Sequence, residues 1–203
     1  MKLTKITQQL KQKDRYSIYV DEKYVFSLSE GALLAAGLST GMELTRQDLT
    51  EYKKLSNDDK AFNSALRYAA MRYRSEWELS DYMRRKEVEE PVALKIMVKL
   101  RRLNMLNDSV FAQAWVENRR LLKPVSKRRL VQELKQKRVS EEIINKVLQQ
   151  DPTEERAVLV ELIERLRRQQ KYHDPQKLMQ YLARQGFGYD DIKNVIADMD
   201  TSD

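Results

Sequence analysis

The stretch Ser126–Val139, SKRRLVQELKQKRV, decides how this chain is read. Six of its fourteen residues are Lys or Arg, yet Leu130, Val131 and Leu134 recur at helical spacing in its middle. Ser126 stands where an N-cap would accept from the free N–H groups of a first turn. The stretch reads as a short amphipathic helix with a basic outer face, and it is not unique in the chain.

Displaced by 51 residues, Ser75 falls on Ser126, Leu79 on Leu130, Met83 on Leu134, Lys86 on Lys137 and Val88 on Val139. Val92 and Ile96 continue the match onto Ile143 and Val147. Displaced by 48, Asp174 falls on Ser126, Leu178 on Leu130, Leu182 on Leu134, Phe187 on Val139 and Val195 on Val147. One pattern therefore occurs three times: cap, helix with apolar residues four apart, break, apolar residue, helix. Each copy follows a further helical stretch, AFNSALRYAAMRYR, SVFAQAWVENRRLL or TEERAVLVELIERLRRQQ. Periods of about 50 residues mark stacked helical units. The fold expected is mainly α, three tandem three-helix repeats forming a curved array. In such an array no unit buries its apolar stripe alone, and stacking completes the core. Pro91, Pro152 and Pro175 are expected at helix starts, where a missing N–H costs nothing, with Asp151 and Asp174 as caps.

The first 58 residues differ. RYSIYV and KYVFSL alternate, with Asp21 and Glu22 between them, which predicts a hairpin. ITQQLKQK can add an edge strand. SEGALLAAG reads as a short helix closed by Gly37, and TRQDLTEYKKL as a helix opened by Thr45 with Asp48 near its N-terminus. SNDDKAF reads as the opening of the next helix. The units expected are 1–58, β-rich; 59–106, first repeat; 107–151, second; and 152–203, third.

The chain has 203 residues, 41% of them hydrophobic, and only five Gly and four Pro. It carries no cysteine, which removes disulfides, thiolate catalysis and cysteine-ligated zinc and fits a reducing cytoplasm. No secretory h-region or membrane span is visible, so a cytoplasmic protein without a membrane partner is expected. His173, the single histidine, reads as a loop residue, and no metal, cofactor or catalytic centre is expected. Asp190, Asp191, Asp198 and Asp200 read as a solvated acidic C-terminus. Net charge is +7, unevenly spread. Residues 60–139 hold 20 Lys and Arg against 9 Asp and Glu, a net of +11, leaving −4 to the rest. A basic central surface points to a polyanionic partner.

The candidate binding residues follow from that surface. Arg128, Arg129 and Lys135 project outward when Leu130, Val131 and Leu134 face in, and Lys137 and Arg138 end the helix. Arg84, Arg85 and Lys86 are the first-repeat equivalents of Lys135–Lys137; the third repeat has Ala183, Arg184 and Gln185. Cations at a helix C-terminus favour the macrodipole by about 0.3–1 kcal/mol. That reason does not extend to Lys127, Arg128 and Arg129 in a first turn. Arg72, Arg74, Arg101, Arg102, Arg119 and Arg120 complete the set. Trp77 matches Arg128 and is expected to face out, whereas Trp115 is expected to pack.

At RYRSEWELSDYMRRKEV, followed by VKLRRLNMLNDSVFAQAWVENR, the chain resembles the RecX family of bacterial regulators of the RecA recombinase. Arg74-Ser75-Glu76 with Leu79, the Leu103–Asp108 turn into Phe111-Ala112, Val116 and Arg119 carry the likeness, which covers about residues 60 to 200. The β-rich unit looks like an extension that some members have. The resemblance implies three tandem three-helix repeats and a non-enzymatic protein, expected as a monomer. It implies binding in the groove of the RecA–DNA filament, weak DNA affinity, and lowered RecA ATPase and strand exchange. The alternative is a direct DNA-binding protein built from helix-turn-helix-like units. The family often has Gly where this chain has Glu87, Asn104, Lys123 and Arg138. Asn104 tolerates the left-handed conformation such a turn uses, while the other three fit it less well, so those helix ends are expected to differ.

Overall fold

The computed structural model describes residues 1–201. The last two residues of the expected third repeat, 202 and 203, lie outside the described residues. Two compact units result. The first combines Met1–Arg72 with Ser80–Met105; the second gathers Tyr73–Leu79 and the chain from Leu106 onward.

In the first unit, β1 (Leu3–Gln8), β2 (Arg15–Val20) and β3 (Lys23–Ser29) form an antiparallel sheet in sequence order. Val20 pairs with Lys23 across a two-residue turn in which Asp21 (φ 48°) and Glu22 (φ 66°) are both left-handed. That turn has the twist antiparallel strands need, so the hairpin forms although neither residue is glycine. Leu3, Ile18, Val20, Phe26 and Leu28 face a core closed by Leu38 and Leu44. Helix α1 (Glu30–Ala36) is capped by Ser29 and ends on left-handed Gly37; α2 (Arg46–Ala70) opens with a Thr45–Asp48 capping box.

The helix start expected at SNDDKAF is absent, because α2 runs straight through it. Its polar residues serve a sideways purpose. Ser56 Oγ donates to the Ser27 carbonyl at 2.6 Å. Asp59 accepts from the Ser29 N–H at 2.9 Å and from Asn63 Nδ2 at 2.9 Å, and it pairs with Arg15 Nη1 at 3.0 Å. Arg15 also donates to Ser27 Oγ and to the Ser27 carbonyl, both at 2.8 Å. Residues that resemble a cap are the polar seam between α2 and the sheet. Helices α3 (Glu76–Arg85) and α4 (Glu90–Arg102) follow. Tyr82 of α3 stacks on Tyr68 of α2 at 4.1 Å between centroids.

The second unit holds two three-helix groups. The first is α5 (Asp108–Leu122), α6 (Lys127–Gln136) and α7 (Glu141–Gln150). The second is α8 (Glu155–Arg167), a 3-10 turn (Gln170–Tyr172), α9 (Pro175–Arg184) and α10 (Tyr189–Asp200). The positions superposed by the repeat are core positions: Leu79, Leu130 and Leu178 are buried, as are Met83, Leu134 and Leu182. The shared-core expectation needs correction. Phe111, Val116, Leu130, Leu134 and Ile144 form one cluster, while Leu159, Leu162, Leu178, Leu182 and Ile192 form another. Each group closes its own core. Pro91 and Pro175 sit in first turns as expected, and Asp174 caps α9. Pro152 does not, since α8 begins three residues later, and Asp151 accepts from Thr153 and pairs with Arg120 instead of capping α8.

The middle helix of each repeat ends the same way. The N–H groups of Val88, Val139 and Phe187 reach back to the carbonyls of Met83, Leu134 and Leu182. Those of Glu87, Arg138 and Gly186 reach the carbonyls of Arg84, Lys135 and Ala183. This double bond pattern is the Schellman ending, which places its C′ residue in the left-handed region. Glu87, Asn104 and Arg138 all adopt φ 55°, and Gly186 φ 91°. The helix ends at Glu87 and Arg138 therefore keep the glycine-type geometry against expectation, because two hydrogen bonds and an apolar contact outweigh the side-chain clash. Only Lys123 differs, with φ −144°.

Two outcomes follow. Glu87→Gly relieves the left-handed strain and should stabilise the protein by about 1 kcal/mol, read as a higher urea midpoint at unchanged slope. Backbone donation from Thr45 holds the Asp48 carboxyl below the usual carboxylate range, and donation from Gln176 does the same for Asp174. A depressed carboxylate contributes its stability above its unfolded value, about pH 4, and loses it as pH falls through the folded value. Asp48→Asn and Asp174→Asn should therefore unfold more easily than the parent at pH 7, and the gap should close towards pH 2.5, measured by urea titration across that range.

Candidate functional site

The expected basic residues divide by what their own helices give them. In the first unit, Arg84 and Arg85 end α3 largely exposed and share Asp81, at 2.6 and 3.0 Å. Donation from Arg84 holds the Asp81 carboxyl below its usual range. Such exposed pairs within one helix are worth about 0.3–0.5 kcal/mol and yield readily to a stronger anion. Lys86 follows them and is exposed, as are Arg101 and Arg102 at the end of α4 and Arg72 before α3.

In the second unit, Arg128 is exposed in the first turn of α6 and Lys127 is half-buried. Lys135 is exposed and reaches Glu141, whose carboxyl it holds low. Arg138 is exposed, with its guanidinium 5.8 Å from the Trp77 ring centroid. Trp77, expected to face solvent, is half-buried beneath it, and Arg74 is half-buried too.

Three of the expected residues turn inward, and a fourth, Arg129, keeps 41% of its side chain exposed. Arg120 donates through Nε and Nη2 to Asp151 at 2.9 and 2.8 Å and through Nη1 to the Val125 carbonyl at 2.7 Å. Its side chain is only 11% exposed, and it ties α5 to the end of α7. Arg119 donates to Glu133 Oε2 at 2.8 Å. Arg129, expected outward, leans towards Glu133 Oε1 at 3.4 Å. Lys137 donates to Glu78 Oε1 at 2.7 Å. Trp115 is half-buried, as its packing role implied; it rests against Phe111 and donates from Nε1 to Glu133 Oε2 at 2.9 Å.

Sequence reasoning missed the carboxylates that organise these cations. Glu78 and Glu133 are each 7% exposed. One signal was available for Glu133: it sits next to Leu134 and three residues after Leu130, so helical geometry places it on the inward face. Glu78 adjoins Leu79 in the same way.

Successive helical groups are joined by a repeated device. The N–H of Glu76, first in α3, donates to Asp108 Oδ1, first in α5, at 2.7 Å. The N–H of Lys127, first in α6, donates to Glu155 Oε1, first in α8, at 3.0 Å. The equivalent position in α9 is Pro175, which has no N–H to satisfy. Among the described residues no group of three or more His, Cys, Asp or Glu is placed to hold a metal ion. His173 bonds the Arg167 carbonyl through Nε2 at 2.9 Å.

The ion pair at the α3–α6 joint yields a clear expectation. Lys137→Met removes one cation from the buried Glu78 and should lower the urea midpoint of unfolding. Adding Glu78→Leu should restore most of that loss, because an apolar pair replaces a buried ionic one at little net cost.

Similar proteins account for both the helices and the sheet. A profile of the regulatory protein RecX N-terminal domain matches residues 1–45. Profiles of the first, second and third RecX three-helix domains match 61–100, 107–148 and 154–196. The β-rich region thus matches a RecX domain, in keeping with its likeness to an extension that some members have. A regulatory protein RecX of Oceanobacillus iheyensis is 32% identical over 212 residues, covering all of this chain and 78% of its own length. One from Listeria monocytogenes is 38% identical over 119 residues, covering 59% of this chain and 44% of its own, so the match spans less than half of that relative. A crystal structure of regulatory protein RecX superposes with a TM-score of 0.70 at 27% identity, covering 95% of this chain and 98% of the other. RecX from Lactobacillus salivarius shares the fold, with a TM-score of 0.58 at 24% identity over 71% of this chain and 97% of that one. With four consecutive RecX profiles along most of its length and a relative matched from end to end, this chain belongs to the RecX family.

Proposed function

We propose that the chain is a non-enzymatic modulator of the RecA recombinase that binds the RecA–DNA filament through exposed cations and lowers its ATPase and strand exchange. The observation that carries the reading is the sorting of the basic residues. Arg119, Arg120, Arg129 and Lys137 serve internal carboxylates, while Arg84, Arg85, Lys86, Arg102, Arg128, Lys135 and Arg138 point into solvent or hold only weak exposed contacts. Arg72, Arg74, Arg101 and Lys127 lie in the same segments. A filament on DNA presents phosphates and carboxylates at regular intervals, and many weak charge contacts add along such a target. Arginine forks suit both kinds of anion. No cofactor is required, and cytoplasmic action on a monomeric basis is part of the reading.

A second reading, direct DNA binding, draws on Lys127 and Arg128. They stand in the first turn of α6, the middle helix of a three-helix group, where their charge opposes the helix dipole.

The ssDNA-dependent ATPase of RecA separates the two. Inhibition at substoichiometric protein that survives excess ssDNA supports the filament reading; inhibition that vanishes with excess DNA supports direct DNA binding. The double reversal Arg102→Glu with Arg128→Glu touches no internal ion pair described above. It should leave the unfolding midpoint nearly unchanged and weaken filament binding by about tenfold or more. It should also lower the salt dependence by about one unit per lost phosphate contact. Co-sedimentation with RecA–ssDNA at several salt concentrations measures both, and unchanged affinity would move the surface away from these residues.

A further inference from the structure

The joint of α3 with α6 carries an aromatic surface that the joint of α6 with α9 lacks. Trp77, the second residue of α3, is half-buried. Arg138, just past the end of α6, is exposed and holds its guanidinium carbon 5.8 Å from the Trp77 ring centroid. That separation lies within the reach of a cation–π contact, about 6 Å. At the superposed positions the next joint has Arg128 and Gly186, which provide no ring and no guanidinium to lie over it. An arginine over an indole is therefore a property of this one joint and not of the repeat.

An exposed polar edge of α6 leads to it. Arg128, Gln132 and Lys135 stand at i, i+4 and i+7, and all three are exposed. Arg128 and Lys135 are two turns apart, about 10 Å along the helix axis. Glu133, the sole acid between Lys127 and Arg138, is buried and faces the core. Acids do lie at the margins. Glu141 pairs with Lys135, but both side chains are exposed, and such a pair yields to a stronger anion. Asp81, one turn beyond Trp77 on α3, is already engaged by Arg84 and Arg85. Glu76 opens α3 half-buried, where a carboxylate suits the helix dipole. A row of cations ending on a ring and a guanidinium meets two needs of a single strand at once: its phosphates and its unstacked bases. A carboxylate partner would use the cations and leave the ring idle, and a duplex keeps its base faces covered.

We propose that Trp77 and Arg138 form a platform on which one unpaired nucleobase of a single strand stacks, while the phosphates of that strand pass along Arg128 and Lys135. Bases splayed from a single strand stack on aromatic rings and on guanidinium planes alike. Because every base has a π-face, the platform senses that a strand is single without reading its sequence. The inference rests on the reading that these exposed cations meet nucleic acid, and it deepens that reading by adding a base to the phosphates.

The test uses the full chain at low salt with a labelled oligothymidylate of about 12 nucleotides and an abasic strand of the same phosphate number. By fluorescence anisotropy the parent should bind the oligothymidylate about tenfold tighter than the abasic strand. Trp77→Leu and Arg138→Lys should each reduce that preference to about twofold or less, with abasic affinity unchanged. Arg138→Lys keeps the charge and the backbone demand at 138, so its effect isolates the planar group even if Trp77→Leu disturbs the fold. Arg128→Glu should weaken both strands alike, as a lost phosphate contact does. Equal binding of the two strands by the parent would overturn the platform while leaving the phosphate contacts standing. A preference that survives both Trp77→Leu and Arg138→Lys would overturn it too, by placing the base elsewhere. If neither strand binds although the protein still co-sediments with RecA–ssDNA, the cations meet protein carboxylates and the proposal falls without the filament reading.

Discussion

Two carboxylates withdrawn from water, Glu78 and Glu133, set the arrangement of α3, α5 and α6. A buried carboxylate costs several kcal/mol unless cations and donors surround it. Glu133 takes the Trp115 indole, Arg119 and Arg129; Glu78 takes Lys137 and the Ser75 N–H. Lys137 and Arg119 also lie over the Trp115 ring, at 5.5 and 5.2 Å from its centroid. One indole and two acids thus hold three helices in register. The same requirement decides which cations reach solvent, so the electrostatic surface is a remainder left by core chemistry.

The joints between repeats are alike in plan and unlike in chemistry. At the joint of α3 with α6, Lys137 meets Glu78 and Arg138 covers Trp77. At the joint of α6 with α9, the Gln185 carbonyl accepts from the Ser126 N–H, and a Cβ on Gly186 would stand 2.4 Å from Ser126 Oγ. The superposed positions explain the difference. Arg129 occupies the place of Glu78, so a lysine at 185 would face a cation instead of an acid. Gly186 permits a backbone approach that the arginine at 138 does not need. Repeats that share a fold need not be interchangeable, because each contact surface is matched to its neighbour.

The helical repeat was legible because its signals are local and periodic: caps, apolar residues four apart and breaks at a constant offset. The β-hairpin was legible for the same reason. The polar interior was not, since a carboxylate beside a leucine carries the same letter whether water or a lysine 59 residues away satisfies it. Arg120 reads as a surface cation because its partner, Asp151, could be assigned only once the helices were placed. The left-handed endings at Glu87 and Arg138 show the reverse bias. Residue preference argued against a geometry that the surrounding hydrogen bonds impose.

The polar seam of α2 belongs to the same class of hidden information, and it explains why the sheet and α2 cannot be separated. Arg15 on β2 is nearly buried, and its charge is met by Asp59 on α2 and the Ser27 oxygens. Asp59 in turn satisfies the backbone and hydroxyl of Ser29, the residue that caps α1. A single carboxylate therefore neutralises a strand, positions a cap and fixes the roll of α2 about its axis. That roll brings Leu55 and Phe62 to the side where α4 presents Val92 and Ile96. The segment that looks in sequence like a helix beginning is where the N-terminal sheet is bolted to the first helical repeat.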